Sequence, residues 1–306
     1  MLLNNESFLY PYSFLSLLEL DYIDIKVAVK GVKNLALSND IARLPTNKPF
    51  PVFGINPVQG SNFFIGSQEV FSKNITAASF DIKWTKLPLE KDLEAYYKNY
   101  ALNINNHSFK IKIQALSEGT WAPIQNSGEY YLFETENILE KGQPKLIIKD
   151  SSHLEISNIP ALQIRPNLAL PEKLLLDATS TGGFFKLSLS NPNFAFGQVL
   201  YESKFVEAVT HNANYKNKET KPIPNKPIVP YIQSIALNYK ASTRLNINSS
   251  TKQDKTNVGK TFLLTPFGHQ NTWENGRLLS KQIVPSYRQN AYLLSLIHIS
   301  EPTRPY

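Results

Sequence analysis

The chain has 306 residues, no cysteine and a formal net charge of +7. Lack of cysteine excludes disulfides, thiolate metal sites and a cysteine nucleophile, and a hydrophobic fraction of 42% excludes a chain too polar to build a core. The lysine excess is diffuse, without the clustered basic and aromatic residues of a nucleic-acid surface, so it reads as solvated charge and no nucleic-acid partner is expected.

Residues 1–19 read as a lead-in. Their apolar run, Phe14–Leu18, is too short and interrupted for a signal segment or a membrane span, so a soluble chain is expected. Tyr22–Lys30 alternates cleanly, with Ile23, Ile25, Val27 and Val29 on one face. Period two with β-branched residues predicts a half-buried strand. Gly31 ends it, and Asn34–Ser38 is a candidate second strand.

Lys48–Trp84 is the most structured stretch. It opens with PFPVFG, turns at Gln59-Gly60, and runs through a short strand at Asn62–Gly66. Ser67 is placed to N-cap a helical turn over Ser67–Lys73. Ile75–Thr85 then alternates, with Phe80, Ile82 and Trp84 on one face and Asp81 and Lys83 on the other. Phe50, Phe53, Phe63 and Phe64 are the candidate functional residues of this stretch. Proline-flanked aromatic rings either brace their own domain or form a pre-shaped contact for a partner.

Pro88–Tyr100 is predicted helical, with Leu89, Leu93, Tyr96 or Tyr97, and Tyr100 as its apolar stripe. Short strands are expected at Ser108–Leu116, Thr120–Ile124, Glu129–Glu134, Lys145–Lys149 and Gly183–Ser190. Gln198–Asn214 reads as a helix whose buried stripe is Val199, Phe205 or Val206, and Val209. Tyr215–Pro230, with four prolines, reads as an extended linker. Ile232–Tyr239 and Thr261–Thr265 are further strands.

These elements predict a mainly β chain: an antiparallel β-sandwich-like domain over 20–197 with a few short helices. A helix and linker over 198–229 separate it from the start of a second β domain over 230–293. Leu294–Arg304, LSLIHISEPTR, matches a translated sequencing adapter over eleven consecutive residues. Residues 294–306 are therefore expected to be a non-native tail without tertiary contacts, and the natural protein is expected to continue beyond about Leu293.

No chemistry is written plainly in the sequence. Gly259-Lys260-Thr261 lacks the upstream glycine of a phosphate loop. His107, His153, His211 and His269 have no metal-ligand spacing, and no G-x-S-x-G occurs. Glu134 and Glu136 are a weak candidate carboxylate pair, because spacing alone cannot set them across a cleft. Tyr130, Tyr131 and Phe133, with Trp121, are a candidate sugar-stacking platform, against which stands ordinary cross-strand packing. No catalytic residue, metal or cofactor is expected.

Seven segments resemble, in order, the baseplate J-like wedge proteins of contractile injection systems, in particular the Bacteroidetes-type large wedge subunits. They are Ile23–Leu35, Asn47–Lys73, Ser79–Trp84, Asp92–Tyr100, Phe184–Gly197, Pro230–Ser242 and Thr265–Gly268. None is a catalytic signature, and His269 stands where that family often has an acidic or hydrophobic residue. The resemblance implies a structural, non-enzymatic subunit assembled in the cytoplasm. Its implied partners are other wedge subunits and the hub and sheath proteins. The alternative is a carbohydrate-binding or adhesion module of a larger surface protein.

Overall fold

A computed structural model describes residues 22–100, 102–117, 119–124, 128–157, 159, 162, 183–214, 219–246, 261–265, 268–271, 273–274, 277–278 and 293–295. The chain divides into two compact units, Val27–Ser242 and the remainder before and after it.

The strands in chain order are β1 (Tyr22–Val32), β2 (Ala36–Asn39), β3 (Arg43–Leu44), β4 (Phe50–Pro51), β5 (Asn62–Gly66), β6 (Ile75–Thr85) and β7 (Lys110–Ser117). They continue with β8 (Thr120–Pro123), β9 (Glu129–Tyr131), β10 (Thr135–Glu140), β11 (Gln143–Ile148), β12 (Ser151–Ile156), β13 (Phe184–Asn191) and β14 (Tyr231–Asn246). The helices are α1 (Gln68–Phe71), α2 (Leu93–Tyr97) and α3 (Gln198–Ala213), with a 3-10 turn at Lys98–Tyr100.

Two antiparallel sheets face each other. The first runs β1-β14-β6-β12, with β4 beside the start of β14. The second runs β3-β2-β5-β13-β7, with β8 and β9 both on the far edge of β7. The chain is therefore mainly β and sandwich-like, as its alternating segments predict. Phe80 of the first sheet meets Phe185 of the second edge-on, with ring centroids 5.3 Å apart. Trp84, Phe133, Phe109 and Phe196 extend this aromatic layer.

The alternation in β6 decides which face is inside. Phe80, Ile82 and Trp84 are buried, and Asp81 and Lys83 between them are exposed. At the end of β5, Ser67 caps α1 by accepting the Val70 N–H at 3.4 Å. Gly60 has a φ of +88°. An L side chain rarely adopts that conformation, and from it the Gly60 N–H reaches the Leu189 carbonyl at 2.8 Å.

Three features differ from the sequence expectation. β14 is not the start of a second domain: it lies between β1 and β6 in the first sheet. Its alternation marks a strand, but a strand that follows a long linker carries no local record of the sheet it joins. Next, α2 begins at Leu93 rather than Pro88, because Asp92 caps it by accepting the Ala95 N–H at 3.2 Å. Lys86 and Lys91 both have positive φ, and Leu89 between them is 99% exposed. Lastly, Lys145–Lys149 falls largely within one arm of a hairpin, β10–β11, and neither its other arm nor β12, the edge strand beside β6, is among the expected strands.

The tyrosines of α2 and the 3-10 turn bind the 219–230 segment. Tyr96 Oη donates to Lys226 O at 2.9 Å and Tyr100 Oη to Asn225 O at 2.5 Å. Tyr97 Oη donates to Phe196 O at 2.9 Å and accepts the Ile228 N–H at 3.1 Å. Burial pushes the Tyr97 and Tyr100 hydroxyls well above their ordinary range, so both stay protonated donors. The described part of the proline-rich segment is thus a strap bonded to its own domain rather than a free linker. Tyr97→Phe leaves a buried carbonyl and a buried N–H unpaired, an expected cost of about 1–3 kcal/mol in urea unfolding. A change near zero would show that neither bond contributes.

In the other unit, Arg244 pairs with both carboxylate oxygens of Asp24, at 2.8 and 2.9 Å, and lies over the Tyr22 ring. The remaining strands are β15 (Thr261–Thr265), β16 (Gly268–Asn271), β17 (Trp273–Glu274), β18 (Arg277–Leu278) and β19 (Leu293–Ser295). β15 pairs with β16 and β19. Leu294 and Ser295 therefore have main-chain partners, contrary to the expectation of a contact-free tail. Residues 296–306, Gly259 and Lys260 lie outside the described residues.

Candidate functional site

The four aromatic residues singled out from the sequence are all interior. Phe50, Phe53, Phe63 and Phe64 are each at most 4% exposed. Phe50 and Phe63 pack with ring centroids 6.0 Å apart. Phe50 also lies opposite Ile232 in the β4–β14 pairing, and Val52 N–H reaches Pro230 O at 3.1 Å. Phe64 points to the other face of its sheet, where Trp121 covers it at 5.6 Å. This stretch braces its own domain, and its rings are not available to a partner.

The aromatic platform does not form. Phe133 is buried against Trp84 and Phe109. Trp121 lies opposite Leu116 of β7, and Tyr131 opposite Lys110. At ~3.3 Å per residue those partners are about 20 Å apart, too far for the two rings to grip one sugar. Trp121 instead packs on Phe64 under Lys186, and Tyr131 packs against His107.

A polar cluster lies on the outer face of the first sheet, and the sequence does not announce it. Antiparallel register sets His153 of β12 opposite Asp81 of β6, and Asp81 opposite Ala236 of β14. His153 Nδ1 and Asp81 Oδ1 are 2.6 Å apart. Asn238 donates from Nδ2 to Asp81 Oδ2 at 2.7 Å and to Ser79 Oγ at 3.0 Å. Its Oδ1 accepts the Gly31 N–H at 2.8 Å. Glu134 accepts the His153 N–H at 2.6 Å and pairs with Lys149 at 3.3 Å. Two open hollows meet at Asp81 and His153.

Ser152, next to His153 in the chain, does not complete a serine–histidine–aspartate set with this pair. Strand geometry forbids it, because successive side chains point to opposite faces. Ser152 Oγ is inside the sandwich, where it accepts from Trp84 Nε1 at 2.8 Å and donates to Leu132 O at 3.0 Å. The pair His153–Asp81 is a cross-strand contact at the surface. Glu134 is engaged by Lys149 and the His153 main chain, and Glu136 is exposed on the β10–β11 hairpin. No group of three His, Asp or Glu side chains among the described residues is arranged to hold a metal ion.

Partial burial disfavours the Asp81 carboxylate, but the Asn238 amide and the His153 ring outweigh it and hold Asp81 below the ordinary aspartate range. A depressed folded pKa contributes stability above the unfolded value, and that contribution disappears as pH falls through the folded value. Asn238→Ala is expected to raise the Asp81 midpoint, read by carboxyl NMR titration. An unchanged midpoint would show that the amide does not stabilise the charge.

The second candidate is α3. Its expected buried stripe is outside: Val199, Val206, Val209 and Phe205 are 73%, 60%, 41% and 38% exposed. Of its residues only Ala208 is fully buried. Leu200 and Tyr201 pack on the core at its first turn, and Gly197 (φ +91°) leads into it with Tyr100 at 3.2 Å from where a Cβ would stand. The periodicity correctly marks one apolar face. It cannot tell whether that face turns to its own domain or to something else.

No protein family matches the chain, and the comparison with curated proteins finds no relative. No described helix is long and apolar enough to cross a membrane.

Proposed function

We propose that this chain is a structural, assembly-forming subunit, a baseplate wedge component of a contractile tail-like injection system. The observation that carries the assembly reading is α3, a helix that turns four large apolar side chains to solvent. Large apolar side chains gathered along one element, unlike ones scattered singly, call for an explanation, and a protein contact supplies one. The wedge assignment rests on the ordered resemblance of the seven segments named above. In this reading the chain acts by contact and not by turnover. Its partners are neighbouring wedge subunits and the hub and sheath proteins, and it assembles in the cytoplasm before incorporation into the particle.

The test is sedimentation. The tagged chain, expressed in cells that make tail-like particles, is expected to travel with the particle fraction on a density gradient. Val206→Lys with Val209→Lys is expected to leave the chain folded and remove it from that fraction. Wild-type chain found only as free protein while complete particles form would overturn the wedge assignment.

A further inference from the structure

The α3 helix is mounted with its apolar stripe outward, held by Leu200 and Tyr201 on the core and by hydrogen bonds to the strap. Gln198 Nε2 donates to Ile228 O at 3.0 Å. His211 Nε2 lies 3.0 Å from Glu219 O. Asn212 exchanges two hydrogen bonds with the Lys221 backbone, at 2.8 and 2.7 Å. Lys221 also pairs with Glu207 at 2.9 Å, and Lys204 pairs with Glu207 at 3.2 Å. Apart from that of Gln198, these bonds occupy the polar flank of the helix. Val199, Phe205, Val206 and Val209 are left within an arc of about 120° at ~100° per residue.

The spacing along that arc is that of a helix seam. Val199 and Val206 are seven residues apart and Val209 follows Val206 by three, the a and d positions of a heptad. Ser203, Thr210 and Asn212 flank the stripe without charge, and Gln198 falls within it at the first turn. Glu202, at the other d position, is its one ionisable residue.

A second copy of this chain fits poorly. Sixteen residues give a helix of about 24 Å, and a stripe ~10 Å wide is then about 250 Å². A stable pair needs about 800 Å² on each partner, so any partner, a second copy included, must contact more than this stripe. Parallel pairing of two copies would also set Glu202 against Glu202.

We infer that the outward stripe of α3 receives an amphipathic helix of a different protein, one that carries a basic residue opposite Glu202 and joins as part of a larger contact. The inference rests on the assembly reading above and adds the form and charge of the partner element.

The probe is a synthetic amphipathic helical peptide with leucine at its a and d positions, made with either lysine or glutamate at the position facing Glu202. Binding to the full chain is read by fluorescence anisotropy. The lysine peptide is expected to bind about tenfold more tightly than the glutamate peptide, the sum of one favourable and one unfavourable contact. Glu202→Lys is expected to reverse that order, and Val206→Lys with Val209→Lys to abolish binding of both at an unchanged Tm. The charge-reversal comparison stands even if the double variant does not fold.

Equal binding of the two peptides, binding of neither, or a chain that dimerises through α3 would overturn the inference. If the peptides show no charge order but the double valine variant is lost from particles, only this inference falls. If that variant enters particles normally, α3 is not an assembly contact and the reading beneath the inference falls with it.

Discussion

Replacing Phe50 and Phe53 together by alanine is expected to lower the unfolding free energy by about 5 kcal/mol or more. Each ring is nearly fully buried, and a buried Phe→Ala change costs about 3–5 kcal/mol from lost transfer and the cavity left behind. The two sites are close in the chain, so the sum is not strictly additive. Phe50 of β4 packs on Phe63 of β5, and β4 ties the PFPVFG run to the start of β14. Loss of both rings therefore loosens the end of the strand that lies between β1 and β6. Small domains hold about 5–15 kcal/mol in total, so the double variant is expected to be largely unfolded, or to melt at much lower urea. Urea unfolding followed by far-UV circular dichroism measures it. A loss under about 0.5 kcal/mol, the size typical of surface sites, would show that the rings are not in the core.

That result also separates what the sequence could and could not say. Burial of one face of β6 was legible because Phe80, Ile82 and Trp84 alternate with polar residues. The Phe50–Phe53 stretch has no such period, since its prolines break the alternation, and bracing and docking predict the same composition there. The strap shows the same limit. Repeated proline predicts a segment outside helix and sheet, which 220–230 is, but not that Tyr96, Tyr97 and Tyr100 would bind it.

The polar cluster at Asp81 was illegible for a different reason. Asp81, His153 and Asn238 lie on three strands that are far apart in sequence, and only register brings them together. Alternation in Ser151–Ile156 could have marked a strand, with His153 on its polar face. Its cross-strand partner depends on topology. Helix α3 fails in the opposite direction: its apolar face was read correctly, but burial was inferred from amphipathicity alone. A helix shows which side is apolar, while the surrounding chain decides which side is covered. Here the strap bonds to the polar flank.

Trp84→Ala is expected to cost about 3–5 kcal/mol, as large aromatic truncations in packed cores do. The ring is 2% exposed and meets Phe133 edge-on at 5.1 Å. Its Nε1–H donates to Ser152 Oγ, which also accepts the Glu134 N–H at 3.2 Å and donates to the Leu132 carbonyl. One hydroxyl thus joins β6, β12 and the segment leading into β10. Removing the indole takes away one donor and leaves that hydroxyl its other two bonds, so the loss is mainly packing. Ser152→Ala tests the reverse. It leaves the indole N–H and two backbone groups without this partner inside the sandwich, an expected cost of about 1–3 kcal/mol with no large cavity. Trp84→Phe keeps most of the ring volume but forfeits the hydrogen bond, so its cost should lie nearer to Ser152→Ala than to Trp84→Ala. Urea unfolding of the three variants gives the order. If Trp84→Phe is as damaging as Trp84→Ala, the hydrogen bond and not the packing dominates. A Trp84→Ala loss within about 0.5 kcal/mol, as at surface sites, would place the ring outside the core and reverse the facing of β6.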